Sequence, residues 1–276
     1  YFRWIRNVLH GDLGWSETAS MPVSEAFVRY LPATLELALL SLLSQVVLAI
    51  YLGVVAATHQ NKLVDHTLRV LGIAGWSLPT YVVGIALLGV LFGVFGLFPP
   101  GRLGYEASAI VKSAAFTRYT GMNTIDGILN GNLFVLGDAL RHLFLPVLTS
   151  ALVGGALILR VMRSSMLETL KTDYVTTARS KGLSERRVIR KHAFRNALTS
   201  VMTISGMTLA TMLGGAVVTE TVFDYRGLGL WVSTAATQLD FPTIVGFSLF
   251  SAAIMVAANL VVDIMYAVVD PRIRLT

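Results

Sequence analysis

Five long apolar stretches constrain the fold of this chain more than any other feature of its sequence. A helix needs about 20 consecutive apolar residues to cross the hydrocarbon core of a bilayer. Each stretch meets that length, and the sequence predicts one transmembrane helix over each of 35–58, 72–98, 143–162, 198–222 and 243–268. One such stretch could be a buried helix of a soluble domain, but five of them in 276 residues argue against that alternative.

The charge content also indicates a membrane protein and narrows its partners. Only 14% of the residues are charged, whereas a soluble domain carries about 25%. The net charge of +6 does not predict a nucleic-acid partner, because the basic residues lie between apolar spans and not on a soluble body. The sequence contains no cysteine, which excludes disulfides, thiolate chemistry and cysteine-based metal sites.

The distribution of Lys and Arg predicts the orientation, because these residues resist translocation. With the N-terminus outside, the loops 59–69, 160–197 and 269–276 are cytoplasmic and hold 14 of the 22 Lys and Arg residues. Their density is about three times that of the outer segments. We expect one further span before residue 1, six in all, since this returns the true terminus to the cytoplasm.

The predicted organisation has two parts. Residues 1–34 form an extracytoplasmic N-terminal segment, and 35–276 form a transmembrane domain. That domain carries a glycine-rich external loop at 99–142 and a cytoplasmic loop at 163–197. Pro79 lies inside the second span, where its missing N–H and its ring predict a kink.

The fourth span combines small and polar residues. Gly206, Ala210 and Gly214 recur every four positions, which lines one helix face with small side chains and predicts close packing. Polar residues on its other faces and at its outer end are candidates for lining a translocation path: Ser205, Thr208, Thr211 and Glu220. A threonine in a helix can instead bond a backbone carbonyl one turn earlier, and this alternative stays open.

The cytoplasmic stretch from 173 to 198 reads DYVTTARSKGLSERRVIRKHAFRNAL and predicts two short helices joined at Gly182. Glycine suits the left-handed residue that follows a helix end. Ser184 stands at the N-cap of the second helix, and Glu185 lies in its first turn. We call residues 174–186 the coupling bracket. It is polar and compact and is joined directly to spans on both sides, which suits docking on a soluble partner.

The bracket resembles the coupling loop of ABC importer permeases, and most closely that of the dipeptide, oligopeptide and nickel family. The general pattern is only half met, because His192, Phe194 and Arg195 stand where Ile, Leu and Pro are usual. The peptide and nickel pattern is matched at Tyr174, Thr177, Ala178, Lys181, Gly182, Leu183, Val188, His192, Arg195, Asn196 and Leu198. Further matches are GDLG at 11–14, LPATLELA at 31–38, SLP at 77–79, GGAVVTETVF at 214–223, GLG at 227–229 and NLVVDIMYAVVDPRIR at 259–274.

The resemblance implies an all-α, polytopic helical bundle of the type I ABC importer permease kind in the plasma (inner) membrane of a bacterium or archaeon. It implies import of di- or oligopeptides with an external substrate-binding protein, a second homologous permease and two ATP-binding subunits that use ATP and Mg²⁺. The residues it assigns to ATPase coupling are Tyr174, Thr177, Ala178, Arg179, Lys181, Gly182, Leu183, Ser184, Glu185 and Arg186. Relatives of similar architecture import nickel chelates or sugars, so these substrates stay open.

The absence of certain sequence motifs argues against other functions for this chain. There is no GxxxxGK[ST] phosphate loop, so ATP hydrolysis is expected in partner subunits and no cofactor is expected on this chain. The sequence has no HExxH or GxSxG motif for an intramembrane hydrolase. An ATP-independent secondary transporter or channel would be favoured by paired intramembrane charges or inverted repeats, and the sequence indicates neither.

Overall fold

The computed structural model describes residues 6, 8, 10–213 and 216–269. These residues are predominantly helical. In chain order the helices are α1 Val23–Thr58, α2 Leu63–Ser77, α3 Thr80–Leu87, α4 Tyr105–Lys112, α5 Asn123–Leu129, α6 Leu133–Thr169, α7 Asp173–Ser180, α8 Glu185–Arg187, α9 Phe194–Leu213, α10 Val217–Val222, α11 Leu228–Thr237 and α12 Phe241–Val269. Two π-helical stretches, Leu88–Val94 and Val188–Ala193, continue α3 and precede α9. Two short strands, β1 Trp15–Ser16 and β2 Met21–Pro22, pair antiparallel near the N-terminus.

The chain divides into two compact units. The first unit comprises the described residues within 1–40, 80–149 and 210–257. The second comprises those within 41–79 and 150–209 and from 258 onward. Each unit is therefore assembled from stretches that are distant in sequence.

An aromatic cluster and a buried carboxylate fasten the N-terminal segment within the first unit. The ring of Phe27 meets that of Trp231 edge-on, with centroids 5.4 Å apart, and stacks on Phe250 at 4.8 Å. Asp240, just before α12, accepts hydrogen bonds from the Thr18 and Thr243 hydroxyls at 2.8 Å. Burial alone would raise the pKa of Asp240, but these hydrogen bonds outweigh it and lower the pKa to about 2.

Close helix packing builds the core of the second unit. Its buried apolar residues come from the second half of α1, the second half of α6, the end of the second π-helical stretch and the first half of α9: Ala49, Ala57, Ile158, Leu159, Met162, Met166, Ala193, Ala197 and Val201. A Cβ placed on Gly53 would lie 2.7 Å from the Met162 Cβ, and one on Gly75 would lie 2.7 Å from the Leu152 carbonyl oxygen. The glycines are therefore required for these backbones to approach.

Two helices, α1 and α6, are each long and apolar enough to cross a bilayer, with mean hydropathies of 2.3 and 1.9. They contain the predicted first and third spans and begin 12 and 10 residues earlier than predicted, at Val23 and Leu133. The predicted fourth region is covered by α9 and α10, with 214–215 outside the described residues, and the fifth by α12. The number of spans in the chain stays a prediction.

The predicted second span is not one continuous helix. α2 ends at Ser77 and α3 begins at Thr80, so the helix is interrupted at 78–79. Leu78, at the break, has extended dihedral angles of −89° and 132°, because the ring of Pro79 disfavours a helical conformation in the preceding residue. The proline therefore ends α2, and the kink predicted within one helix is a break between two helices.

Candidate functional site

Gly182 turns the chain between α7 and α8 of the coupling bracket. Its φ of +76° lies in the left-handed region, and its N–H donates to the Arg179 carbonyl oxygen at 2.9 Å. Among the described residues, no heavy atom outside Gly182 and its two chain neighbours lies within 4 Å of the position that a Cβ would occupy there. A larger residue at this position would therefore be opposed by backbone strain and not by a steric clash.

A small apolar core holds the bracket together. Val175, Ala178 and Val188 are at most 5% exposed and pack with Leu170 and Leu183. These side chains join the end of α6, both arms of the bracket and the start of the π-helical turn before α9. The bracket is therefore a packed element and not a flexible linker.

An ion pair closes the bracket across the turn. Nη2 of Arg179 lies 2.7 Å from Oε1 of Glu185, and Nε lies 3.1 Å from Oε2. Nη1 of the same arginine donates to the Leu170 carbonyl oxygen at 3.3 Å. The hydrogen bond from Arg179 lowers the pKa of Glu185 below its ordinary value. Arg179 is thus bonded to Glu185 within the bracket and to Leu170 just after α6, and its contact with a partner stays a prediction.

The other predicted coupling residues occupy distinct environments. Ser184 stands at the N-cap position of α8, but its hydroxyl makes no capping hydrogen bond. The Thr177 hydroxyl donates to the Asp173 carbonyl oxygen at 2.8 Å. Lys181 and Arg186 are exposed, and no ion pair is found for either among the described residues. These two cations are therefore available to a partner surface.

Tyr174 ties the first arm of the bracket to the start of α9. Its hydroxyl lies 3.5 Å from the His192 carbonyl oxygen and accepts a hydrogen bond from the Asn196 amide. The resemblance singled out His192 and Asn196 without giving either a role. In this structure both serve to hold Tyr174, so that α7 and α9 are joined by polar contacts as well as by the apolar core.

A buried ion pair in the second unit was not found by sequence reasoning. Asp65 is fully buried, and its two oxygens accept hydrogen bonds from Nε and Nη2 of Arg163 at 2.6 and 2.8 Å. Its Oδ2 also accepts the Asn61 N–H at 3.0 Å. The pair ties the start of α2 to α6 shortly before the bracket. In the sequence Arg163 counted only as a positive charge in a loop, and nothing links it to a carboxylate 98 positions away.

Glu36 is the centre of a buried polar cluster in the first unit. Its Oε1 accepts the N–H and the hydroxyl of Thr124 at 2.7 and 2.8 Å. Its Oε2 accepts Nη2 of Arg102 at 3.0 Å and the Tyr225 hydroxyl at 2.8 Å. Burial raises the pKa of Tyr225 well above its ordinary value, so the phenol stays protonated and donates. The cluster ties the start of α5 and the loops that carry Arg102 and Tyr225 to α1.

Glu220, predicted to lie on a translocation path, is fully buried within the first unit. Its Oε1 accepts the Thr34 hydroxyl at 2.7 Å, and its Oε2 accepts the Leu230 N–H at 2.9 Å. A Cβ on Gly227 would lie 2.5 Å from the Thr34 hydroxyl oxygen and 2.7 Å from a Glu220 oxygen. The carboxylate therefore holds the start of α11, and its place on a translocation path stays a prediction.

The remaining candidates of the fourth span lie on α9 or just after it. The Thr208 hydroxyl donates to the Ile204 carbonyl oxygen at 2.8 Å. This is the alternative described above, in which a threonine bonds a backbone carbonyl one turn earlier in its own helix. The Ser205 hydroxyl is buried and finds no hydrogen-bond partner in the described part of the chain. Thr211 is exposed, Ala210 is buried and Gly206 is half-buried. Gly214 lies outside the described residues. Their roles in packing or in a path stay predictions.

The described residues contain no group of three or more His, Asp or Glu side chains placed to hold a metal ion. The two sites that the fold does assemble are the bracket with its supporting Asp65–Arg163 pair in one unit, and the Glu36 and Glu220 clusters in the other. Residues of the sequence motifs LPATLELA, TETVF and GLG contact one another in these clusters. These contacts explain the polar residues and glycines that the motifs contain.

Two solved structures resemble this fold. The inward-facing MetNI methionine ABC transporter matches with a TM-score of 0.58 and 15% identity, over 86% of this chain and 94% of that one. An amino acid ABC transporter crystallised with histidines matches with a TM-score of 0.57 and 12% identity, over 84% and 88% of the two chains. At these identities the likeness concerns the fold alone.

Relatives of higher identity cover nearly the whole chain. The "Probable D,D-dipeptide transport system permease protein DdpB" of Escherichia coli (strain K12) is 39% identical over 274 residues, 99% of this chain and 79% of that protein. The dipeptide transport system permease protein DppB of the same strain is 39% identical over 275 residues, with 99% and 80% covered. The oligopeptide transport system permease protein AppB of Bacillus subtilis (strain 168) is 35% identical over 275 residues, with 99% and 79% covered.

The family described as "Binding-protein-dependent transport system inner membrane component" matches residues 49–275, which include the bracket and the helices that carry it. The fold, the near full-length relatives and this match agree. The chain therefore belongs to the family of binding-protein-dependent transport system inner membrane components, the permeases of ABC importers.

Proposed function

We propose that this chain is the transmembrane permease subunit of an ATP-driven importer of di- or oligopeptides. The observation that carries the proposal is the packed coupling bracket, in a chain whose near full-length relatives are named as dipeptide and oligopeptide permeases. Nickel chelates and sugars are the alternative substrates of the same architecture.

The proposed mechanism places nucleotide chemistry in a separate subunit. The sequence has no phosphate-binding loop, so ATP and Mg²⁺ would bind to two partner ATPases. When those subunits close on ATP, they would push on the bracket through exposed groups such as Lys181 and Arg186. A displacement is transmitted only by a stiff element, and the core of Val175, Ala178 and Val188 supplies that stiffness.

The proposed assembly has one orientation. The coupling bracket and the C-terminus face the cytoplasm, and the 99–142 segment faces the outside, where an external binding protein delivers the substrate. The translocation path would lie between this chain and a second homologous permease. The charge asymmetry of the loops supports this orientation.

Uptake by the reconstituted importer tests the proposal. The permease pair, the ATPases and the binding protein would be assembled in proteoliposomes, and accumulation of a radiolabelled dipeptide would be measured. We expect uptake that requires ATP and the binding protein, with unlabelled tripeptide competing and nickel–histidine chelate or maltose not competing. Uptake without ATP would favour a secondary transporter, and selective competition by the chelate or the sugar would reassign the substrate.

A further inference from the structure

The first unit contains an arginine-lined cleft of about 450 Å³. Four guanidinium groups contribute to its lining, those of Arg29, Arg102, Arg118 and Arg226. Asp224 is the single carboxylate among the lining residues of this cleft. We call this site the arginine cleft. The four arginines lie outside the coupling bracket and outside the apolar core.

Three of these arginines form no ion pair within the described residues. No carboxylate lies within 4.0 Å of the charged groups of Arg29, Arg118 or Arg226 anywhere in the described ranges. Only Arg102 is neutralised, by Glu36 at 3.0 Å. Like charges gathered in one cleft repel one another and attract anions. The fold therefore keeps positive charge here that its own carboxylates do not balance.

Arg102, one of the arginines that line the cleft, is held in place by the Glu36 cluster. Nη2 of Arg102 also donates to the Gly121 carbonyl oxygen at 3.0 Å, and its guanidinium lies 5.6 Å from the centre of the Tyr225 ring. Tyr225 immediately precedes Arg226 in the chain. Nε of Arg102 is buried and has no hydrogen-bond partner within the described residues. These contacts fix Arg102 and the loop that carries Tyr225 and Arg226 before any ligand arrives.

We propose that the arginine cleft receives carboxylate side chains from an acidic surface of the external binding protein, an inference that rests on the proposed function. Guanidinium groups bind carboxylates in a bidentate geometry. Three unpaired arginines exceed what the single terminal carboxylate of a peptide can engage. A lipid would need a continuous apolar wall for its acyl chains, whereas arginines, Ser108, Asn123 and Asp224 dominate this lining.

Binding of the external protein to the complete importer tests the cleft. The assembled complex would be placed in phosphatidylcholine nanodiscs, and the Kd and association rate of the purified binding protein would be measured at about 50 and about 300 mM salt. We expect Arg118→Glu combined with Arg226→Glu to raise the Kd at low salt about tenfold or more, chiefly by slowing association. Lys112→Glu, an exposed charge reversal outside the cleft, should change it less than about twofold.

A charge swap separates a direct contact from a folding defect. Reversing the matching carboxylate on the binding protein should restore binding to Arg226→Glu, which no structural role of that arginine would produce. The inference is overturned if the double variant assembles, hydrolyses ATP and binds with unchanged Kd and association rate. It is also overturned if only the KM for peptide changes, which indicates a substrate site, or if the effect requires phosphatidylglycerol, which indicates a lipid site. If the unaltered complex neither binds an external protein nor takes up peptide, the proposed function itself fails.

Discussion

At the residue scale, single buried carboxylates organise segments that are far apart in the chain. Glu36 accepts four hydrogen bonds from Thr124, Arg102 and Tyr225, and Asp65 accepts three from Arg163 and Asn61. A buried carboxylate is costly unless its lone pairs are satisfied. Both groups are therefore structural and, because each has an arginine among its partners, sensitive to neutral substitution.

Neutralising Glu36 should loosen the loops of the first unit. Glu36→Gln keeps the size of the side chain but leaves the guanidinium of Arg102 without its anion, and we expect a loss of about 3 kcal/mol in stability. The melting temperature of the purified permease and protease cleavage within 99–131 would report it. Glu106→Gln, at an exposed position of α4, is the matched control. Equal melting temperatures for the two variants would contradict the role assigned to Glu36.

We expect the loss of the Arg179–Glu185 pair to have a different effect, because both side chains are about half exposed. Such a pair contributes less than about 1 kcal/mol to stability, so its loss should alter bracket geometry more than folding. We expect Arg179→Glu to lower substrate-stimulated ATP hydrolysis and the added change Glu185→Arg to restore it. If the swapped pair stays inactive, Arg179 acts by contacting the partner directly.

The same pair has a defined pH dependence. Its hydrogen bond lowers the pKa of Glu185 in the folded chain below the ordinary value. The stability that it contributes is therefore fully present above that ordinary value and is lost as the pH falls through the lowered one. At neutral pH the pair is intact.

At the element scale, features set by one or two neighbouring residues could be predicted from the sequence, whereas contacts between distant segments could not. The turn at Gly182 and the break at Pro79 depend on backbone constraints of one or two residues, so both positions could be predicted. The sequence predicted only a kink at Pro79, whereas the chain ends one helix at Ser77 and begins another at Thr80. The Asp65–Arg163 pair and the internal bonds of Glu220 join distant segments, and no local pattern encodes them.

Close packing of helices in the second unit gives a prediction at this scale. A Cβ on Gly53 would lie 2.7 Å from the Met162 Cβ, whereas one on Gly89 would meet no other heavy atom within 4 Å. We expect Gly53→Val to destabilise the permease by about 1–3 kcal/mol through overpacking. Gly89→Val should be milder, since both replace a helical glycine and only one is crowded. Equal yields and melting temperatures would mean that the close approach near Gly53 is not required.

At the scale of the whole molecule, the proposed orientation places each loop on one side of the membrane. The chain has no native cysteine, so single cysteines report accessibility without background. We expect Ala114→Cys to react with an impermeant thiol reagent in intact cells, and Ser180→Cys to react only after the membrane is opened. Both positions are exposed in the fold. Labelling of Ser180→Cys from outside would invert the proposed orientation.

In the proposed function the coupling bracket carries movement from an ATPase to the permease, and a substitution at Gly182 tests this role. Gly182 and Gly131 both have positive φ, +76° and +64°, and both face open space, so valine imposes similar backbone strain at each. Gly131 lies in the 99–142 segment, which is proposed to be external, and serves as the control.

Substrate-stimulated ATP hydrolysis by the reconstituted complex is the measurement. We expect Gly182→Val to insert normally but to lose ATPase association and stimulated turnover by about tenfold or more, while Gly131→Val keeps both. If the Gly182→Val complex retains its ATPase subunits and full stimulated turnover, the bracket is not the coupling element.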